Sequence, residues 1–533
     1  MLADAGGAPR VSSRATSRAA RGRDPALVAA AFVAFTAALW ILYGPTHVGY
    51  DGMWALNWGG ELASGQLPSF QAHWRASTPH PAINALATLF APLGKTAAPI
   101  AFDVTGIACL AALALVCARM GSLLFALPVG AFFTLLVLTQ PRLLHEVMFS
   151  PTEVAFAALM LAALMLVVED PRRGWAPLGF LAAAGLVRPE AWGFALLYGA
   201  YVVFVVKPPR RLALAGLALV GPFVWLLVDL VVTGTPFYSL LGTREFAEQL
   251  NRETGLLAAV VKFPAQLGGA AGQPMAWLAL VGWAVALWVF FDRVWIPSLV
   301  VALSLGGYLA LGLAELPLQP RYLVVAGLVL DLFVAVLVFG WTALERGRAR
   351  SAWMAASLVP LALFLLSVPA QLSRIDEERT ESAASHAAQR DLEQLVTSPG
   401  ARRAFRECGP VYVSDFRVRP FVWYWAGVEP RAIEDGRVGQ GKRGTYVSPG
   451  LDREAVSAAA RTGFFKAKGS PLRPLLTPPP GAQVAARTDA WRIDVVGCRL
   501  PPASRIANPG ARSGVEGSAP SSTEGAVYRH PYG

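Results

Sequence analysis

GYDGMWALNWGGELASGQLPSFQAHWRASTPHP, residues 49–81, decides how this chain is read. It gathers Asp51, Glu61, His73, Arg75 and His80 among Trp54, Trp58 and Trp74, directly after the first apolar run of membrane length, residues 25–43. A connector between two membrane helices is ordinarily short and polar. This one holds a lone acid after Gly49-Tyr50, an amphipathic run and a Pro-His-Pro corner, so it reads as the floor of an active site at the outer face of a membrane.

Composition agrees. Of 533 residues, 55% are hydrophobic and 15% charged, and the mean hydropathy is +0.46, more apolar than a soluble core of this length requires. Runs near the roughly 20 residues that cross a bilayer recur up to residue 368 and then stop. The fold class is an α-helical polytopic membrane protein with about eleven transmembrane helices. They are placed at 25–43, 97–118, 122–139, 154–168, 175–187, 191–206, 212–232, 275–291, 294–314, 322–341 and 351–368. The net charge of +11 comes from basic residues scattered through tails and short loops; with no basic stripe, nucleic acid is not an expected partner.

The basic residues orient the chain instead. Alternating the spans puts Arg119, Arg172, Arg173, Lys207, Arg210, Arg211, Arg293, Arg346, Arg348 and Arg350 on the side of the amino-terminal arginines, which the positive-inside rule makes cytoplasmic. The expected place is the plasma (inner) membrane. Residues 1–24 read as a disordered cytoplasmic tail and 25–370 as the membrane domain, with its first outer loop at 44–96. Residues 371–500 read as a small extracytoplasmic α/β domain, and 501–533 as a second disordered tail. Within the outer domain, helical composition at 371–396 precedes strand-like runs at 411–413, 421–425, 445–447 and 491–496. Cys408 and Cys498 bracket it and are expected to form a disulfide outside the cell.

The same alternation gathers 49–81, 140–153, 188–190, 233–273 and 315–321 on the outer face. An acid there, with arginines from other loops, suits sugar transfer from a lipid-linked phosphate. The acceptor hydroxyl needs a base and the departing phosphate needs fixed positive charge. Asp51 is the candidate base, and Arg188, Arg321, Arg142 and Lys262 are candidates for the donor phosphate, arginine being suited to planar, two-pronged contacts. His80, Glu190, Tyr322 and Trp54 are candidate substrate contacts. Each has a plainer role open to it: Asp51 is a favoured helix N-cap, Arg188 and Arg321 could snorkel to headgroups, and His80 could serve only its turn.

These residues carry a resemblance. A long first outer loop with an early acid at Tyr50-Asp51, an amphipathic helix from Trp54 to Gly65, and the turn Thr78-Pro79-His80-Pro81 resemble the GT-C superfamily of membrane glycosyltransferases. So do Gly185-Leu186-Val187-Arg188-Pro189-Glu190-Ala191-Trp192 and Gln319-Pro320-Arg321-Tyr322. That superfamily includes protein O-mannosyltransferases, aminoarabinose transferases and actinobacterial cell-envelope mannosyl- and arabinosyltransferases. The resemblance implies a polyprenyl-phosphate sugar donor, a glycan, lipid or protein acceptor, inversion, and Asp51 as base. Many relatives carry two adjacent acids in this loop, whereas this chain has Asp51-Gly52; a divalent metal is thus left open, and no other cofactor is implied. The competing class is a transporter or flippase of lipid-linked sugars, and after it a silent envelope-assembly scaffold. A transporter places acids and helix breaks at mid-membrane in paired halves, and this sequence shows no such symmetry.

Overall fold

A computed structural model describes residues 25–44, 46–73, 76–149, 151–249, 251–271, 275–435, 441–450 and 480–499. The two expected tails, 1–24 and 501–533, lie outside these residues, as do Trp74 and Arg75. The chain divides into two compact units, Met1–His386 and Ala387–Gly533.

The first unit is a multi-pass helix bundle. In chain order its helices are α1 (Pro25–Tyr43), α2 (Tyr50–Ala63), α3 (Pro81–Phe90), α4 (Gly94–Leu124), α5 (Leu127–Leu138), α6 (Pro141–Phe149), α7 (Pro151–Glu169) and α8 (Trp175–Val187). There follow α9 (Ala191–Ala200), α10 (Arg211–Thr233), α11 (Tyr238–Gln249), α12 (Leu256–Ala271), α13 (Met275–Leu313), α14 (Val324–Phe339), α15 (Arg348–Ala356) and α16 (Leu358–Thr397). Among the described residues seven helices are long and apolar enough to cross a membrane, or eight if α5 and α6, bent by 55°, form one broken crossing. Trp175–Val187 and Ala191–Val206, expected as full spans, are shorter apolar helices. The expected pair 275–291 and 294–314 is two helices in succession within α13, joined at a kink where Phe290 is non-helical (φ −128°, ψ 35°). Asp292 and Arg293 stand just past this kink, where Arg293 donates to the Leu124 carbonyl at 3.0 Å.

The core lies around α14, buried along almost its whole length and apolar on every side, as a helix surrounded by others must be. The helix that carries Asp51 is buried too. Gly49, extended at φ −72° and ψ −179°, starts α2, and residues from Gly52 to Gly59 are buried in an unbroken run. Trp54 is 0% exposed; its ring lies 5.4 Å from Trp58, which meets Phe70 edge-on at 4.9 Å. Gly59 lets α3 come close, because a Cβ there would stand 2.5 Å from the Ala87 carbonyl carbon and 2.6 Å from the Thr88 nitrogen.

The polar half of α16 grips the entry to α2. Glu378, Ser382 and His386, spaced by four, share one helix face. Glu378 meets His145 Nδ1 at 2.8 Å, Ser382 meets His47 Nδ1 at 3.3 Å, and His386 Nδ1 donates to the Thr46 carbonyl at 3.1 Å. Burial, with His386 and His145 close by, pushes the His47 imidazole down to about 3, so it stays neutral at physiological pH. The expected domain boundary at 370/371 falls inside this unbroken helix.

The second unit contains a five-stranded sheet, β1 (Val411–Val413), β2 (Ile433–Asp435), β3 (Gly444–Pro449), β4 (Gln483–Arg487) and β5 (Trp491–Val496), in the order β2-β1-β3-β5-β4. β1 runs parallel to β2 and β3, while β5 runs antiparallel to β3 and β4. The expected strand 421–425 is instead helical, within α18 (Arg419–Ala426), after α17 (Pro399–Glu407). Phe-Val-Trp-Tyr-Trp is apolar without period, which does not separate strand from helix; Pro420 in the first turn and Gly427 in the left-handed region at φ 69° favour helix. Cys408 and Cys498 are neighbouring thiols in hydrogen-bonding contact.

Gly59 and Gly60 test the α2–α3 contact. Gly59→Ala forces two backbones apart and should destabilise by about 1–3 kcal/mol, read as a lower melting temperature in detergent. Gly60→Ala, with nothing within 4 Å of its new Cβ, should leave the melting temperature unchanged or slightly raised.

Candidate active site

Three stretches far apart in the sequence meet around one carboxylate. Glu153 stands in the first turn of α7, where the positive helix end favours an acid, and is 5% exposed. Arg188 Nη1 donates to its Oε1 at 2.6 Å and Arg321 Nη1 reaches the same oxygen at 3.4 Å. Arg188 follows α8 and precedes Pro189. Proline keeps the preceding residue out of the helical region, and Arg188 is extended accordingly, at φ −149° and ψ 137°. That places its guanidinium inward, 4% exposed, with Nη2 and Nε on Glu190 Oε1 at 2.5 and 3.1 Å. Arg321 sits in the short turn Pro320–Leu323 just before α14. Tyr322 serves both cations, its ring 5.3 Å from the Arg188 guanidinium carbon and 5.6 Å from that of Arg321.

The charges hold each other in their ionised forms. Burial opposes the charge on Arg188, yet the carboxylates of Glu190 and Glu153 outweigh it and raise its proton affinity. Burial likewise opposes the Glu190 carboxylate, and Arg188 reverses the effect and holds it below the usual range.

Asp51 lies beside this group. It is not the N-cap of α2, a position that Gly49 takes; it stands in the first turn, and its Oδ1 accepts a hydrogen bond from Ser77 Oγ at 2.7 Å. His80 Nδ1 donates to the Val187 carbonyl at 2.8 Å, and its ring meets Trp225 edge-on at 5.6 Å. Burial lowers the His80 proton affinity, with Arg188 acting the same way and Asp51 and Glu153 opposing. The imidazole is therefore neutral at neutral pH, with its proton on Nδ1 and a lone pair on Nε2. Arg321 is within electrostatic reach of Asp51 and Glu146.

No protein-family model matches the sequence, and no curated protein does. Among solved structures, ArnT from Cupriavidus metallidurans bound to undecaprenyl phosphate matches with a TM-score of 0.51 at 14% identity, over 88% of this chain and 98% of that one. ArnT is an aminoarabinose transferase of the superfamily that the sequence resembles. The chain has the GT-C fold. The apo state of the same ArnT matches over the same shares, with a TM-score of 0.44 at 16% identity. An oligosaccharyltransferase from Archaeoglobus fulgidus matches with a TM-score of 0.46 at 12% identity, over 77% of this chain and 64% of that one.

Within this GT-C fold the structure brings Asp51, His80, Arg188, Glu190, Arg321 and Tyr322 together. Arg142 pairs with Glu146 one turn along α6, and Lys262 pairs with Glu253. Trp54 is sealed in the core and offers no ring face to a substrate. Glu61 accepts from the Ser69 backbone at 2.8 Å and closes the loop after α2. Two residues that sequence reasoning passed over are Glu153 and Ser77. Glu153 had a signal: Ser150-Pro151-Thr152-Glu153 carries the spacing of a helix start with an acid in its first turn. Ser77 had none. Among the described residues no three His, Cys, Asp or Glu side chains converge as a metal set. Glu153, the acid best placed to contribute to one, already accepts from two guanidiniums.

Replacing Glu153 tests the arrangement. Glu153→Gln leaves the buried Arg188 and the half-buried Arg321 facing a neutral amide and should destabilise by about 3–5 kcal/mol, as breaking a buried pair does, read as the melting temperature in detergent. Undecaprenyl phosphate should then raise that temperature more in the variant than in the wild type. An unchanged melting temperature would remove Glu153 from the centre of the site.

Proposed function

We propose that the protein is a membrane glycosyltransferase that moves a sugar from a polyprenyl-phosphate carrier to an acceptor hydroxyl on a glycan, lipid or protein, with inversion. One observation carries this reading: a carboxylate held by a single hydroxyl, Asp51 on Ser77, beside a site built from one buried and one half-buried arginine. ArnT bound to undecaprenyl phosphate supports the class of carrier.

Asp51 takes the acceptor proton as the hydroxyl oxygen attacks the anomeric carbon. The bond from that carbon to the phosphate oxygen breaks, and its electron pair leaves with the carrier. The phosphate thus changes from a diester with one negative charge to a monoester with up to two, and fixed positive charge beside it stabilises the transition state. The two arginines divide this work. Arg188 has donors committed to Glu153 and Glu190 and acts as the buried strut. Arg321 is more open, its side chain 27% exposed, and among the described residues its Nε has no hydrogen-bond partner. It is therefore the phosphate's first contact. His80, neutral and fixed through Nδ1, offers Nε2 to the sugar or the acceptor.

Sidedness follows the same reading. Glu169, sixteen residues and about 24 Å along α7 from Glu153, pairs with Arg119 and Arg173, both assigned to the cytoplasm by charge. The arginine site then faces outward, as does the second unit, where Cys408 and Cys498 close as a disulfide. In membranes isolated without reductant both thiols should resist alkylation until reduced; free labelling of both would reject the pairing.

The function itself is tested by transfer from a panel of radiolabelled undecaprenyl-phosphate sugars into membrane acceptors, with purified, reconstituted protein. Asp51→Asn keeps the shape of the side chain and cannot take a proton. It should bind the donor as the wild type does and lose about 100-fold or more in turnover. Equal transfer by both proteins sinks the base assignment, and donor crossing the bilayer without transfer by the wild type sinks the enzyme.

A further inference from the structure

Residues 76–80, just before α3, return to the site as a strap, and the three polar side chains on it are fastened to three different elements. Ser77 Oγ donates to Asp51 Oδ1 on α2 at 2.7 Å. Thr78 Oγ1 and Thr243 Oγ1, on α11, lie 2.8 Å apart. His80 Nδ1 donates to the Val187 carbonyl, the last residue of α8 and the neighbour of Arg188, at 2.8 Å. Ser77 is 8% exposed, so its hydrogen bond is shielded from competing water. The strap therefore ties the proposed base, in one direction, to the turn that carries the arginine strut.

From this geometry we propose that Ser77 is the positioning residue of Asp51: its hydroxyl occupies Oδ1, orients the carboxylate and leaves Oδ2 as the oxygen that meets the acceptor hydroxyl. The proposal rests on the reading of Asp51 as base. A physical effect follows. A carboxylate free to rotate about its χ2 bond presents the right oxygen only part of the time, while a hydrogen bond to one oxygen selects one orientation. The other groups that act on it are Arg321 and His80, neither of which fixes an oxygen of the carboxylate among the described hydrogen bonds.

The experiment is steady-state transfer by the reconstituted full chain, with whichever undecaprenyl-phosphate sugar of the panel turns over in the wild type. Ser77→Ala should lower kcat about tenfold, the rate equivalent of about 1.4 kcal/mol for a hydrogen bond to a charged group, and leave the KM for the donor unchanged. Ser77→Thr retains a hydroxyl and should restore kcat close to the wild type. Thr78→Val cuts the fastening to Thr243 without touching the carboxylate; it should lower kcat by less than Ser77→Ala does. Ser77→Ala with wild-type kcat overturns the assignment, and so does Ser77→Thr as slow as Ser77→Ala, or Thr78→Val lowering kcat as far as Ser77→Ala. Asp51→Asn separates the two levels. If it is inactive while Ser77→Ala behaves as the wild type, Asp51 stands and Ser77 falls; if it turns over as fast as the wild type, both fall together.

Discussion

Ionised groups at a membrane boundary survive burial only when other ionised groups satisfy them, and in this protein that requirement centres on Glu153. One carboxylate oxygen receives both Arg188 and Arg321. Two guanidiniums that close would repel each other strongly in a poor dielectric, so the loops that carry them can meet only through an anion. That anion is on α7, and Glu190 supplies a second. The start of α7, the turn after α8 and the turn before α14 are in this sense one electrostatic object. In the reaction proposed above, a phosphate there would meet positive charge already held in place, and preorganised charge of this kind contributes most to stabilising a transition state.

The proposed base is held by different means. Asp51 belongs to a helix packed tightly enough that Gly59 admits no side chain, and the oxygens of its carboxylate are distinguished by one hydroxyl on the 76–80 strap. Packing sets where the helix lies, and hydrogen bonding sets which carboxylate oxygen is held. Because His80 anchors the other end of the strap at Val187, base and arginines share a framework although they are more than a hundred residues apart in the chain.

Much of this was legible in the sequence. Apolar length marked the membrane unit, the early acid after α1 marked Asp51, and Arg-Pro-Glu and Pro-Arg-Tyr marked Arg188 and Arg321, because proline beside a charged residue fixes a bend where charge is otherwise costly. What stayed hidden depends on contacts between distant segments. Nothing local says that Glu153 lies under two arginines, that Ser77 touches Asp51, or that Trp54 is walled in by Trp58 rather than open to a sugar. Span counting overreached at Trp175–Val187 and Ala191–Val206, apolar runs that form helices shorter than a full crossing. Residues 421–425 failed for a different reason, an apolar run with no period from which to choose an element.

The face of α16 that bears Glu378, Ser382 and His386 bears on where the polypeptide can be cut. Hydropathy places the end of the membrane part near residue 370, and a fragment ending there looks complete by that measure. It would lack all three contacts to His145, His47 and Thr46, leaving the approach to α2 without this brace. A fragment carried through His386, where the first compact unit ends, keeps that brace whole. The natural seam of the molecule is thus set by side-chain bonds about four helical turns beyond the last apolar residue, and not by the edge of the lipid.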